Sequence, residues 1–127
     1  HRKTEPDRTL NIKRGDEYVK EHNIESIDFL KIDVEGFEKG VIEGFGDFIK
    51  NIKIIQFEYG GCWIDNEVKL AEVVKPLEQA GFANFGRICK SGVIPLEESL
   101  QDDYKFSNIV CHNTNNYKNW TDERFKK

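Results

Sequence analysis

The sequence contains little that points to a membrane protein, a secreted protein or a disulfide-stabilised one. No apolar run approaches the length of a membrane span, and the charged residues 1–8 lack the apolar stretch that a secretory signal needs. The three cysteines form no C-x-x-C pair, and an odd number of thiols fits a reducing compartment better than a disulfide framework. We therefore expect a cytoplasmic protein whose cysteines are buried or incidental thiols.

Basic charge is also scarce. The 127 residues carry a net charge of −4 with both signs interspersed, so we expect no basic face that would bind nucleic acid. Hydrophobic residues make up 38% of the chain and charged residues 33%, which is typical of a soluble globular domain. Because the sequence starts at His1 without Met, a processed product and a piece of a longer chain are both open at this point.

The first half of the chain predicts a β–α–β unit. Residues 14–23 are typical of a short surface helix that Asn23 can end. Residues 27–34 and 52–59 are dense in β-branched and aromatic residues and predict two strands, the first of them largely buried. The connection is long enough for these strands to be parallel. Between them, apolar residues recur every four positions as on a helix packed against a sheet: Phe37, Val41, Phe45 and Ile49, with Ile42 beside them.

The second half of the chain predicts a helix followed by two strands. Residues 66–80 predict the helix, and Pro76 within it predicts a kink or a break. Four apolar residues share one face of that helix: Leu70, Val73, Val74 and Leu77. Residues 82–90 and 105–112 predict an antiparallel pair joined by a loop. The residues after Asn113 are polar, so we assign residues 1–113 to a folded domain and 114–127 to a tail.

Acidic residues follow both strands of the predicted β–α–β unit. Asp33 and Glu35 end the first strand, Glu38 opens the next helix, and Glu58 ends the second strand. Ligands of open α/β sheets bind outside the carboxyl ends of the strands, so these residues are candidates for a site. Asp33 or Glu35 could instead cap the helix, but a cap does not explain Glu58 on a different strand.

Three converging carboxylates suit a proton-transfer site, a Mg²⁺ site or a clamp for a cationic ligand. A carboxylate-based hydrolase or a Mg²⁺ site is the weaker alternative from sequence, since no His or further Asp lies at metal-ligand spacing. We therefore assign no metal ligand at this point.

One stretch of the sequence is similar to a known family. Leu30-Lys31-Ile32-Asp33-Val34-Glu35-Gly36, followed by Glu38, Val41-Ile42 and Gly44, resembles the L-K-I-D-V-E-G-x-E-x-x-V-[LI]-x-G signature of FkbM-family methyltransferases. Ile55-Gln56-Phe57-Glu58 resembles the strand that follows the signature, and Thr9-Leu10 resembles the T-L-D motif that precedes it. The resemblance extends from about Thr9 to about Asn113.

The resemblance implies a Rossmann-like class I methyltransferase fold, a three-layer αβα arrangement that binds S-adenosylmethionine. In that fold the sheet order is 3-2-1-4-5-7-6 with the last-numbered strand antiparallel, and the strands of this chain would be the fourth to the seventh. The family's glycine-rich turn after the first strand does not occur before residue 27. We therefore expect the C-terminal part of such a domain, which alone binds cofactor weakly and is inactive.

The same resemblance implies roles for individual residues. Asp33 would stand between the cofactor methyl group and the acceptor hydroxyl, and Glu35 and Glu58 would line the acceptor side, so these three are the predicted catalytic residues. Asp33, Val34 and Gly36 would contact the cofactor. The acceptor would be a hydroxyl group on a sugar or natural product, and neither nucleic acid nor membrane is an expected partner.

A second function is open from the sequence: a degenerate, non-catalytic module that keeps the sheet for binding or assembly. In the resembling fold the fourth strand also pairs with the first strand, which this sequence lacks, so residues 27–33 would have an unpaired edge. We expect this edge to self-associate, or to be covered by residues 1–12, by a missing N-terminal half or by another partner.

Overall fold

A computed structural model of the chain describes residues 7–96 and 103–115. The strands are β1 Ile27–Ile32, β2 Ile52–Tyr59, β3 Phe82–Cys89, β4 Gly92–Pro95 and β5 Ser107–Asn113. The helices are α1 Gly15–Glu21, α2 Glu38–Gly44, a 3₁₀ helix Gly46–Asn51, α3 Cys62–Asp65 and α4 Ala71–Gln79. None of the helices in these ranges is long and apolar enough to cross a membrane. The predicted tail lies almost entirely outside the described residues.

The five strands form one mixed sheet in the order β1-β2-β5-β3-β4. β1 and β2 are parallel, which confirms the predicted β–α–β unit. β5 is antiparallel to both β2 and β3, which confirms the predicted antiparallel pair. The predicted loop after β3 is wrong in one respect, because its first part forms β4 and pairs with β3 in a hairpin. That strand has only four residues, all exposed, so it shows no alternation of buried and exposed positions.

The core lies on one face of the sheet. Ile55, Phe57 and Tyr59 of β2 and Ile109 of β5 are fully buried there. The helical residues predicted to share a face, Leu70, Val73, Val74 and Leu77, cover the same core and are all nearly inaccessible. Because α1, α4 and the 3₁₀ helix all contact α2, these four helices form one layer over this face.

The opposite face of the sheet is open. Phe29 on β1, Ile88 on β3 and Val93 on β4 are 51%, 41% and 56% exposed. The expectation that β1 is largely buried is therefore wrong, because only its alternate residues face the helices. The described residues supply two layers, one sheet and one helical layer, of the three that we expected.

Three helix predictions also need correction. Phe37 was predicted to join the buried stripe, but it precedes α2 and is 64% exposed, whereas Ile42, Phe45 and Ile49 are buried as predicted. The predicted helix over residues 66–80 is confirmed only over α4, because residues 66–70 are not helical and connect α4 to α3. α4 continues through Pro76, so the predicted break is wrong, although Pro76 is the sixth of the nine helical residues and removes one backbone N–H donor from the helix.

Candidate functional site

The carboxyl ends of β1 and β2 bring three acidic side chains together. Ile32 pairs with Phe57 in the parallel register, so Asp33 and Glu58 follow at the same level of the sheet. Asp33, Glu35 and Glu58 each offer a carboxylate oxygen, and these oxygens lie within 4.8 Å of one another. The predicted convergence of the three carboxylates is confirmed, while their catalytic roles stay a prediction.

The turn after β1 directs Glu35 back toward β2. Glu35 has φ +54° and Gly36 has φ +103°, both in the left-handed region that L side chains rarely adopt. A Cβ on Gly36 would lie 2.5 Å from Asn66 Nδ2 and 2.7 Å from the Cys62 carbonyl oxygen. Only glycine fits this close approach to α3, so the packing of the turn on α3 fixes the position of Glu35.

The alternative that Asp33 or Glu35 caps α2 is wrong. The N-cap residue of α2 is Phe37, and no side chain caps it by a hydrogen bond. Glu38 bonds backward instead, because its Oε1 accepts a hydrogen bond of 3.2 Å from the Val34 backbone N–H. Capping therefore does not account for the acidic residues that follow β1.

Aromatic packing holds Glu58 at the end of β2. The indole Nε1 of Trp63 donates a hydrogen bond of 3.1 Å to the Glu58 carbonyl oxygen. The Trp63 ring is stacked on Phe57 at 6.0 Å between centroids and meets Tyr59 edge-on at 4.9 Å. Since these three aromatic residues are buried, the backbone that presents the Glu58 carboxyl is rigidly supported.

The crowding of carboxylates changes the protonation of Glu58. A hydrogen bond with Asp33 is the main cause, followed by partial burial and by the charges of Asp33, Glu35 and Glu38, and together they raise the pKa of Glu58 to about 7. Two carboxyl groups that share a site favour the uptake of one proton between them. Near neutral pH, Glu58 can therefore hold a proton in its hydrogen bond with Asp33, and it can accept a proton from a ligand only after it has lost that one.

Cys62 joins the cluster, which the sequence did not predict. Its Sγ donates a hydrogen bond of 3.6 Å to Glu35 Oε2. That bond, partial burial and the nearby negative charges raise the pKa of the Cys62 thiol, so the thiol stays protonated. Its place directly after Gly60-Gly61, at the carboxyl end of β2, was the signal that could have indicated this position.

A groove of about 1070 Å³ lies between α2 and the segment that leads into α1. Val34 and Phe37 line one side, and Ile12 and Tyr18 line the other. All four side chains are exposed and largely apolar. Val34 lies between Asp33 and Glu35 in the sequence and connects the groove to the acidic turn, although Asp33, Glu35 and Glu58 themselves do not line the groove.

The sequence was compared with known protein families, curated proteins and solved structures. The model of the methyltransferase FkbM domain matches residues 1–83, about two thirds of the chain. The chain belongs to the FkbM methyltransferase family. No curated protein and no solved structure gives a significant match.

The matched part of this FkbM domain contains the whole acidic cluster. It runs from the N-terminus through β1, α2, β2 and α4 to the start of β3, whereas most of β3 and all of β4 and β5 lie beyond it. Of the three residues predicted to contact the cofactor, Asp33 and Val34 are exposed and Gly36 is buried against α3. The turn geometry alone explains the glycine at position 36, and a cofactor contact there stays a prediction.

Proposed function

We propose that this chain is the C-terminal part of a class I, S-adenosylmethionine-dependent O-methyltransferase that acts on a hydroxyl of a sugar or natural product. The observation that carries this proposal is the meeting of Asp33 and Glu58 at the carboxyl ends of two parallel strands. Open α/β sheets bind ligands at that edge. Membership of the FkbM family supports methyl transfer as the reaction.

The order of the strands supports the class I assignment. β1, β2, β5 and β3 are neighbours in that order, and β5 is antiparallel to both of its neighbours. This matches strands 4, 5, 7 and 6 of the class I sheet, with the seventh antiparallel. β1 is then the fourth strand, and its edge away from β2, which is unpaired among the described residues, is the place where the first strand of a complete domain pairs.

The residues present fit one part of S-adenosylmethionine. When bound, this cofactor supplies a methyl group on a positively charged sulfur. The negative edge formed by Asp33, Glu35 and Glu58 suits that charge, and the groove beside Val34 suits an apolar group. Among residues 7–96 and 103–115, β1 is the first strand, so no strand with a glycine-rich turn precedes it. We propose that the rest of the cofactor site lies outside this sequence.

Asp33 and Glu58 can handle the proton of the acceptor hydroxyl. A general base works best when its pKa lies near the working pH, and the pKa of Glu58 is raised to about 7. Asp33 orients the hydroxyl and takes up its proton together with Glu58. Glu35, which accepts a hydrogen bond from the Cys62 thiol, lines the acceptor side. Its negative charge also helps to stabilise the positively charged sulfur of the cofactor.

The test replaces Asp33 by Asn in the complete methyltransferase that contains this chain. We expect turnover to fall by about 10²-fold or more, while the Kd of S-adenosylmethionine changes by less than about threefold. Asp28→Asn is the matched control, since Asp28 lies on the same strand and is exposed at the other end. Unchanged turnover with a lower melting temperature would contradict a catalytic role.

Cofactor binding by the 127-residue chain alone gives a second test. We expect calorimetric titration with S-adenosylmethionine to show weak binding or none, because the glycine-rich turn that approaches the cofactor is not in this sequence. Tight, stoichiometric binding would contradict the assignment of the cofactor site to residues outside it.

The open sheet favours a second candidate function, that of a non-catalytic module for assembly. Residues 7–12 lie outside the sheet, and β1 pairs only with β2 among the described residues. Lys31 is the one cationic residue on this edge strand, which gives little protection against pairing with another chain. This edge of β1 can therefore pair with a second copy of the chain, or a missing N-terminal half can cover it.

Sedimentation and hydrogen exchange test this second candidate together. We expect concentration-dependent association, and protection of those β1 amides that do not face β2. A monomer at high concentration in which these amides exchange fast would contradict it.

A further inference from the structure

One acidic residue of the signature stretch, Glu38, has no role in the function proposed above. It is the first residue of α2 and is only 1% exposed. Its Oε2 is buried and has no hydrogen-bond partner among the described residues. A buried carboxylate oxygen without a donor costs stability, so an acidic residue at this position is not explained by packing alone.

The turn next to Glu38 has a strained backbone. The Phe37 N–H donates a hydrogen bond of 3.4 Å to the Val34 carbonyl oxygen, which closes a four-residue turn. Its two central residues, Glu35 and Gly36, both have positive φ, as in a type I′ turn. This conformation is unfavourable for a glutamate. Contacts from outside the turn must therefore hold it.

Two helices supply those contacts. On one side of the turn, Gly36 packs against α3, as described above. On the other side, Glu38 Oε1 accepts the hydrogen bond of 3.2 Å from the Val34 N–H. That N–H belongs to the planar peptide group that joins Asp33 to Val34. The bond from Glu38 therefore fixes the backbone from which the Asp33 side chain extends.

The orientation of Asp33 matters for Glu58. The hydrogen bond between these two side chains is the main cause of the raised pKa of Glu58, whereas the charge of Glu38 is the smallest of the causes. Glu38 can thus affect Glu58 more through the backbone of the turn than through its own charge.

We propose that Glu38 is a positioning residue, whose hydrogen bond to the Val34 N–H holds the turn after β1 so that the Asp33 carboxyl meets Glu58. A role of Glu38 in turnover rests on the methyl transfer proposed above, since a proton acceptor must be held in a fixed geometry. The hold on Asp33 is a property of the 127-residue chain and can be measured without any substrate.

Two variants separate the hydrogen bond of Glu38 from its charge. Glu38→Asp keeps the charge but is one methylene too short to reach the Val34 N–H, and Glu38→Gln keeps an oxygen at that distance but loses the charge. NMR titration of the Glu58 carboxyl in the 127-residue chain gives the readout. In Glu38→Asp we expect the pKa of Glu58 to fall from about 7 to about 6 or lower. In Glu38→Gln it should fall by less than half as much.

Glu78→Asp and Glu78→Gln are the matched controls, because Glu78 is exposed on α4, and both should leave the titration of Glu58 unchanged. A purely structural role would lower the melting temperature of Glu38→Asp and leave the pKa of Glu58 as in the wild type, which would overturn the proposal. An equal fall in Glu38→Gln and Glu38→Asp would also overturn it, because the charge would then be the cause.

Hydrogen exchange of the wild type decides the matter if Glu38→Asp does not fold. We expect the Val34 amide to exchange at least about 100-fold more slowly than in an unfolded chain, because Glu38 accepts its hydrogen bond. Exchange at the unfolded rate would overturn the proposal.

Turnover of the complete methyltransferase gives the last readout. Glu38→Asp should lower it by at least about tenfold, with the Kd of S-adenosylmethionine changed less than about threefold, and Glu38→Gln should restore most of the loss. If Asp33→Asn leaves turnover unchanged while Glu38→Asp shifts the pKa of Glu58, the proposed function fails and the positioning role of Glu38 stands. If Asp33→Asn lowers turnover and Glu38→Asp changes neither turnover nor that pKa, the positioning role fails alone.

Discussion

The helix-covered face of the sheet and the carboxyl end of β1 and β2 have opposite effects on the stability of the fold. On the covered face, Ile55, Phe57 and Ile109 have no exposed surface and stabilise the fold by burial. At the carboxyl end, Asp33, Glu35 and Glu58 converge, and none of the ion pairs among the described residues involves them, an arrangement that costs stability. Features that cost stability and persist are expected at functional sites, so the contrast marks the acidic edge as a place for a ligand.

The largest effect in this comparison is expected in β2. Ile55 is fully buried on the covered face, and its neighbour Ile54 is only partly buried on the open face. Ile55→Ala should lower the free energy of unfolding by about 2–5 kcal/mol, because it leaves a cavity in the core. Ile54→Ala makes the same chemical change and should cost about 1 kcal/mol. Urea unfolding measures both, and equal losses would show that the open face is covered after all.

A smaller effect is expected at the junction between the core and the site. Gly36→Ala should cost on the order of 2 kcal/mol, because φ is +103° and the new Cβ would lie 2.5 Å from Asn66 Nδ2. Gly61→Ala is the control, since a Cβ there has no atom within 4 Å. Thermal unfolding of both variants tests this difference. A Gly36→Ala protein as stable as Gly61→Ala would show that the turn does not pack on α3.

These pairs also show what sequence patterns can predict. β2 was predicted at its observed bounds, because its run of apolar residues stops at two glycines. Burial of β1 was overestimated, since Ile27 to Ile32 contains apolar residues at positions of both faces and a sequence does not say which face another element covers. β4 was missed because this short, exposed strand forms by pairing with β3, and its sequence has no alternation of apolar and polar residues that would predict a strand.

For the candidate site, the sequence predicted the residues whose positions depend on the order of the strands along the chain. Asp33 and Glu58 were placed at one edge because parallel strands end at the same level, a rule that depends on order along the chain. Cys62 and the buried state of Glu38 depend on how α3 and α2 pack against the turn after β1. Such contacts between distant segments leave no periodic signal in a sequence.

The pH dependence of stability gives a still smaller effect at the acidic edge. Because the pKa of Glu58 is raised to about 7, the folded chain holds a proton that the unfolded chain has lost above about pH 4.5. This contribution to stability is complete below that pH and is lost as the pH rises toward 7. Glu58 is partly exposed, so we expect a contribution of about 1 kcal/mol or less.

The measurement compares the wild type with Glu58→Gln between about pH 5 and pH 8. Burial lowers the pKa of His112, which makes stability rise with pH over part of this range, so only the difference between the two proteins isolates Glu58. The wild type should lose stability relative to Glu58→Gln as the pH rises. A constant difference would show that Glu58 titrates at its ordinary pKa.

The central claim, that the acidic edge serves a ligand rather than the fold, is tested most directly by the melting temperature of Glu58→Gln at about pH 8 without divalent cations. Here Glu58 is charged beside Asp33, Glu35 and Glu38, and the amide removes that repulsion while it can still donate a hydrogen bond to Asp33. We predict a rise on the order of 3 °C, against a change below about 1 °C for the exposed control Glu78→Gln. A fall in the melting temperature of Glu58→Gln would contradict the account, because it would show that the carboxylate stabilises the fold.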